Sequence, residues 1–199
     1  MSIGFQELMR IAIIGYGSLI WDLENLTPFV TGNWQMGSGP AMPVEFSRIS
    51  PKRKKALVLV IDETLDHQCK TCVITSNRDN LEQAVQDLAA RERCEPEMIG
   101  YVSTCGKFHK PLDCAADWLE SSGYDAVLWT ALPGNFENEL QMTFTHQNGR
   151  DYLKTLSGDA LEEAWRYIEF APEVTDTPFR RFLADDPFWQ SLDYRQVPS

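Results

Sequence analysis

The order of the hydrophobic patterns along the chain constrains its fold more than any other feature. Short apolar runs typical of strands come first, and segments with helical spacing dominate the C-terminal part. Strands that precede helices, instead of alternating with them, are typical of α+β folds. The sequence therefore predicts an α+β, barrel-like domain and not a regular βαβ series.

Individual segments follow this order. The first strand is predicted at residues 10–16, because β-branched Ile11, Ile13 and Ile14 form an apolar run that is too short for a helix and ends in glycine. Further strands are predicted at residues 44–49, 56–61, 69–75, 99–102 and 126–129, and helices at residues 79–93, 112–119, 149–156 and 159–170. Residues 32–43, rich in Gly and Pro, are predicted to be a loop. The residues after 170 are predicted to form an arm of short turns and helices.

Length and charge limit the class of partner. At 199 residues the chain is long enough for one well-buried core, which predicts a single domain over residues 1–199. Eighteen lysine and arginine residues against 29 aspartate and glutamate residues give a net charge of −11. The electrostatic field of such a negative charge repels phosphate backbones and anionic membranes. A small molecule is therefore the expected ligand, with neither nucleic acid nor membrane as a partner.

The five cysteines are odd in number, and no secretory signal pattern opens the chain. Apolar runs stop well short of the roughly 18 residues that a membrane span requires. These features predict a reduced, cytoplasmic protein. Cys69 and Cys72 have the spacing of a zinc or redox pair, but no second pair of this kind follows, so no metal site is expected.

The segment Gly15-Tyr16-Gly17-Ser18-Leu19-Ile20-Trp21 follows the first predicted strand. A dinucleotide-binding motif would need glycine at position 20, which is Ile20, and a nucleophile elbow centred on Ser18 would need glycine at 16 and 20. A phosphate-binding P-loop would need a Gly-Lys-Ser/Thr ending. Two interpretations remain: a turn whose backbone N–H groups bind an anion such as a carboxylate, or a plain β-turn with a buried tyrosine.

A carboxylate lies at the end of the helix predicted over residues 79–93. Its apolar stripe runs from Leu81 to Leu88, and the next position on that stripe is Glu92. Burying a carboxylate that points into the core costs free energy, unless the carboxylate is paired with another group or has a function there. Arg91 and Arg93 lie roughly 100° to either side, so the pattern places neither to neutralise Glu92. Alternatively, the helix frays before Glu92 and this side chain is solvated.

Three motifs together resemble the γ-glutamylcyclotransferase family. They are the segment 16–21 after a strand, Arg91-Glu92 after a helix, and Gly100-Tyr101. Residues 43–50 leading to 57–62 are similar to a bacterial branch of that superfamily. The resemblance covers residues 10–135, so the expected layout is a core at 10–135 and a helical extension at 136–199 packed on it.

The resemblance implies a small mixed β-barrel with surrounding helices, and a reaction of transferase or lyase type without a cofactor. In that family the α-amine of a γ-glutamyl amide attacks its own γ-carbonyl, which releases 5-oxoproline and a free amine. Glu92 would be the general acid/base. The residues implied to bind the substrate are Tyr16, Gly17, Ser18, Leu19 and Tyr101.

Some features depart from the family or leave alternatives open. The spacer at residues 93–99 is longer than in the glutathione-degrading branch, so glutathione is not the expected substrate. Glu95 and Glu97 lie close to Glu92 in sequence and are alternative candidates for the acid/base role. A non-catalytic ligand-binding or regulatory protein, or a related γ-glutamyl transfer or deprotection enzyme, would fit the same motifs. The aromatic residues of 177–192 predict packing over the barrel or part of a homodimer contact.

Overall fold

The computed structural model describes residues 8–194, which form the following elements. Strands β1 to β10 are Ile11–Gly15, Val30–Gln35, Ala41–Met42, Val44–Ser50, Ala56–Ile61, Cys69–Lys70, Cys72–Ser76, Ile99–Ser103, Phe108–His109 and Ala126–Thr130. Helices α1 to α7 are Leu81–Glu92, Asp113–Ser122, Phe136–Leu140, His146–Thr155, Gly158–Phe170, Pro178–Ala184 and Pro187–Gln190. Short 3-10 helices lie at Glu24–Phe29, Pro51–Arg53 and Pro96–Met98. The predicted α+β class is confirmed.

These residues divide into two compact units, and each unit is assembled from separate stretches of the chain. The first unit contains residues 8–15, 22–40 and 72–131, and the second contains residues 16–21, 41–71 and 132–194. Residues 132–194 thus share a unit with the strands at 44–61. The expected single domain over 1–199, with its core at 10–135 and extension at 136–199, stays a prediction.

A six-stranded mixed sheet forms the first unit, in the order β2-β7-β1-β10-β8-β9. Strand β1 is parallel to β10, and every other neighbouring pair is antiparallel. All five residues of β1 are buried, which fits its β-branched, apolar sequence and its central place. The strand pairing of residues 8–194 runs between the edges β2 and β9 without closing, so the predicted barrel is not confirmed.

Helix α1 packs against the 3-10 segment Glu24–Phe29 and against strand β10. It begins at Leu81, two residues after the predicted start at residue 79, because the Asn80 side chain accepts a hydrogen bond from the Gln83 amide and caps the helix. Asn80 thereby satisfies an amide that the first helical turn leaves without a partner.

The second unit is built around the antiparallel hairpin of β4 and β5. Helices α4 and α5 contact β5, and helices α3 and α6 contact β4. Aromatic side chains fill the space between them, and the Phe179 ring lies 6.3 Å from Phe46 and 5.4 Å from Phe144. Phe179, from the segment after residue 170, therefore packs on this hairpin.

Three predicted segments are corrected. The predicted loop at 32–43 contains the end of β2 and all of β3. The single strand predicted at 69–75 is two strands, because Cys69–Lys70 pairs with Ala41–Met42 whereas Cys72–Ser76 pairs with β1 and β2. Helix α4 begins at His146 and not at residue 149, since the Thr145 side chain accepts from the Asn148 amide and caps the helix.

Candidate functional site

The segment Tyr16–Trp21 forms a turn directly after β1. The Ile20 amide donates to the Gly17 carbonyl over 3.0 Å, and Tyr16 and Leu19 are buried. A Cβ at position 17 would stand 2.6 Å from the Tyr167 hydroxyl oxygen, closer than such atoms approach in folded proteins. Gly17 therefore leaves room for the Tyr167 hydroxyl that lies against it.

Two backbone amides of this turn have no acceptor in the part of the chain that the structure describes. Within residues 8–194, the N–H groups of Gly17 and Leu19 form no hydrogen bond. Ser18, between them, has further contacts in the protein. Turn amides without acceptors are suited to an anion, and the predicted ligand group here is a carboxylate. The hydrogen bond from Ile20 to Gly17 and the buried Tyr16 fit a plain β-turn, and the amides of Gly17 and Leu19 fit the anion-binding interpretation, so both interpretations stay open.

Glu92 is the last residue of helix α1, and its side chain is 15% exposed. The chain leaves the helix at Arg93, which has left-handed backbone angles (φ 55°, ψ 45°), and the Cys94 amide donates back to the Ala89 carbonyl. Because the helix persists through residue 92, the alternative that it frays before Glu92 is wrong. Glu92 therefore continues the apolar stripe of the helix, and most of its side chain is covered.

The expectation that no arginine neutralises Glu92 is also wrong. Arg91 Nη1 lies 2.7 Å from Glu92 Oε1, and the Arg91 side chain is only 1% exposed. Nε and Nη2 of Arg91 donate to the Asp22 carbonyl over 3.2 and 2.5 Å. Helical spacing separates the two Cβ directions, but a long arginine side chain can fold back at the final turn, where no further helical residue occupies the space.

This arrangement anchors one oxygen of the carboxylate. Glu92 Oε1 receives the Arg91 hydrogen bond, and among residues 8–194 no partner is found for Oε2. A carboxylate that is oriented through one oxygen and open at the other can accept and return a proton. Glu95 and Glu97, the competing carboxylates, are both exposed.

Tyr101 lies on strand β8, opposite Leu128 on one side and His109 on the other. Its ring centroid is 6.0 Å from that of His109, and its hydroxyl has no hydrogen-bond partner in the described part of the chain. The preceding Gly100 has a packing role, since a Cβ there would stand 2.3 Å from Nε1 of the buried Trp129. Tyr101 and Glu92 belong to the first unit, and the turn belongs to the second.

Sequence reasoning missed the buried carboxylate of Glu45. Its side chain is 0% exposed; Oε1 accepts from the Phe46 amide (2.8 Å) and Oε2 from the Phe179 amide (3.2 Å). Burial raises the pKa of this carboxyl, while hydrogen bonds from Thr177, Phe46 and Phe179 and the nearby His67 oppose the rise. The alternation of apolar and polar residues in β4 did not indicate that Glu45 is buried, because both faces of this strand are covered. Its residues Val44, Glu45, Phe46 and Ser47 are all buried.

The cysteines are free thiols with different surroundings. Burial raises the pKa of the Cys69 thiol to about 11, and the negative charges of Glu45 and Asp176 add to the rise. The exposed Cys105 has a lowered pKa, chiefly because the Ser103 hydroxyl lies 3.2 Å from its sulfur. No group of three or more His, Cys, Asp or Glu side chains between residues 8 and 194 is placed to hold a metal ion.

Alkylation should therefore reach Cys105 first. In the native protein at neutral pH, iodoacetamide is expected to modify Cys105 at least about ten times faster than Cys69, since the thiolate is the reactive form and Cys69 is covered. Peptide mapping by mass spectrometry over time measures both rates. In Cys105→Ser the fast phase should vanish, and early label on Cys69 would contradict the buried position assigned to it.

Comparison of the chain with protein-family models, with curated proteins and with solved structures finds no match. Among helices within residues 8–194, none is long and apolar enough to cross a membrane. The residues that indicate a function are therefore those of the turn and of the α1 terminus, through their geometry and their motif resemblance.

Proposed function

We propose that the chain is a γ-glutamylcyclotransferase-like enzyme acting on a small γ-glutamyl amine or peptide in the cytoplasm. The substrate α-nitrogen forms a bond to the γ-carbonyl carbon, the bond from that carbon to the leaving amine breaks, and one proton moves from the attacking to the leaving nitrogen. The products are 5-oxoproline and a free amine. Because ring closure is intramolecular, the protein must mainly hold the attacking geometry and transfer this proton, without a cofactor.

The carboxylate of Glu92 carries the proposal. It is held through Oε1 by the buried Arg91, and Oε2 is without a partner in the described chain. In this role Oε2 removes the proton from the attacking amine and returns it to the leaving amine. A fixed orientation matters because proton transfer requires hydrogen-bond distance in the reacting complex.

The turn after β1 binds the γ-glutamyl group in this proposal. The amides of Gly17 and Leu19 donate hydrogen bonds to the substrate carboxylate. The other substrate-binding residues implied by the family resemblance are Tyr16, Ser18 and Tyr101. A closed barrel of the kind found in γ-glutamylcyclotransferases also belongs to this proposal. The identity of the leaving amine is decided by loops, which carry specificity in most folds.

A non-catalytic ligand-binding or regulatory protein is the second candidate. The contact between Arg91 and Glu92 favours it, because a carboxylate that neutralises a buried guanidinium has a structural reason to be present without any chemistry. In such a protein the turn still binds an anion, but no reaction is catalysed.

Release of 5-oxoproline separates the two candidates. Purified protein is incubated with a panel of γ-glutamyl amines and γ-glutamyl dipeptides, and 5-oxoproline is quantified by mass spectrometry against a heat-denatured control. The enzyme should release it from at least one member with saturation kinetics. Saturable binding of 5-oxoproline without any turnover would instead support the ligand-binding protein, and neither binding nor turnover would reject both.

A further inference from the structure

A cavity of about 380 Å³ lies at one end of the six-stranded sheet, within the first unit. Strand β1 is antiparallel to β7, with Ala12 opposite Thr75, so the residues that precede β1 meet those that follow β7. The cavity is lined by Arg10, by Thr75 and residues 76–79, and by Gln83 on the first turn of α1. Its volume is within the range of small-molecule sites.

The cavity contains a cation without a carboxylate partner. Nη1 of Arg10 donates to the Gly123 carbonyl over 2.8 Å, and the guanidinium carbon lies 4.9 Å from the centre of the Tyr124 ring. The Tyr124 hydroxyl is 2.7 Å from Oγ1 of Thr75, which lines the cavity. Within residues 8–194 no carboxylate forms an ion pair with the Arg10 side chain, since Asp125 accepts only from the Arg10 main-chain amide. The guanidinium is therefore held in place while its charge is unpaired.

The cavity also contains an anion without an ion-pair partner. The Asp79 carboxylate forms no hydrogen bond or ion pair in the described part of the chain, although its charge acts on the neighbouring Arg78. Arg78 itself is paired with Asp87, to which its Nε and Nη2 donate over 2.7 and 3.3 Å. The cap of helix α1 is Asn80, so Asp79 does not serve the helix in that role.

We propose that this cavity binds a free α-amino acid, with its carboxylate on the Arg10 guanidinium and its ammonium on the Asp79 carboxylate. An unpaired cation and an unpaired anion that line one cavity match a ligand that carries both charges. A guanidinium presents paired donors to a carboxylate, and an ammonium donates hydrogen bonds to a carboxylate. The net charge of −11 disfavours a purely anionic ligand but not a zwitterion. This inference does not depend on the proposed function.

The first test uses the unmodified, isotope-labelled protein and a panel of free L-amino acids. For the tightest ligand, two derivatives each lack one charge: the N-acetyl derivative has no ammonium, and the amide has no carboxylate. NMR titration should give a dissociation constant of about 10 µM to 1 mM for the amino acid and values at least about tenfold weaker for both derivatives. The backbone amide signals that shift should be those of residues 75–83.

Two variants separate the two contacts. Asp79→Asn should weaken binding of the amino acid by about three- to thirtyfold and leave the affinity for the N-acetyl derivative unchanged. Arg10→Gln should weaken binding of the amino acid by a similar factor and leave the affinity for the amide unchanged. Glu82→Gln and Lys110→Gln are the matched controls, because they remove the same charges at exposed positions outside the cavity. Both controls should bind within about twofold of wild type, and thermal melting checks that every variant is folded.

Three results with the wild-type protein would overturn the inference, so that it can be rejected even if a variant does not fold. They are the absence of saturable binding by any amino acid, equal affinity for the amino acid and both derivatives, and shifts confined to residues 16–21 and 92. The last result would place the ligand at the candidate functional site. A protein that binds an amino acid at residues 75–83 and releases no 5-oxoproline would reject the proposed enzymatic function alone.

Discussion

Glu92→Gln is expected to reduce 5-oxoproline release by about two to four orders of magnitude, the usual contribution of a general acid/base. Glutamine keeps the shape of the side chain and can still accept from Arg91, but it cannot take up and return a proton at Oε2. Substrate binding should largely survive. Steady-state kcat and KM, measured on folded protein well below its melting temperature, check both expectations.

The same substitution should also lower stability. From helical spacing alone Glu92 has no partner, so its neutralisation would leave the protein as stable as before or slightly more stable. The buried Arg91 reverses that expectation, because the amide replaces a charged acceptor at 2.7 Å with a neutral one. The free energy of unfolding should fall by about 1–2 kcal/mol, measured by urea denaturation.

Glu95→Gln and Glu97→Gln are the matched controls. Both carboxylates lie close to Glu92 in sequence and are exposed, so each change should leave turnover and stability near wild type. Full turnover in Glu92→Gln would show that Glu92 serves only to neutralise Arg91. Loss of turnover in a control variant would move the acid/base role to that residue.

Glu45→Ala should be the most destabilising of these substitutions. It leaves the amides of Phe46 and Phe179 and the hydroxyl of Thr177 without their acceptor inside the core, although it also removes the cost of burying a carboxylate. The expected loss is about 2–4 kcal/mol in the free energy of unfolding. The exposed Glu63 provides a control, because Glu63→Ala should change stability by less than about 0.5 kcal/mol.

The pH dependence of stability gives a second readout of Glu45. Since burial raises its pKa above the ordinary 4.5, the folded protein retains a proton that the unfolded chain releases as pH rises from 4.5. This group therefore favours folding most below pH 4.5, and its contribution falls as pH rises through the folded pKa. Glu45→Gln lacks this titration, so its stability relative to wild type should increase across the same window. A constant difference would contradict the raised pKa.

Local patterns predicted the elements that frame the candidate site. Strand β5 was predicted with its observed bounds, and β1 and α1 within two residues at each end. These elements have continuous apolar runs or a regular helical stripe, so that short segments already specify them. The division of 69–75 into two strands was not predictable, because Thr71 separates residues that pair with partners far away in sequence.

The sequence by itself determined that a glycine-containing turn follows a buried strand and that a carboxylate ends the helical stripe, because both depend on neighbouring residues. The tertiary structure alone decided what surrounds them. Tyr167 reaches Gly17 from helix α5, and the Phe179 amide reaches Glu45 across 134 positions. Such contacts depend on how distant segments pack, and periodicity carries no information about which of them meet. Even the pairing of Arg91 with Glu92 depended on the Asp22 carbonyl, which holds the guanidinium at the helix end.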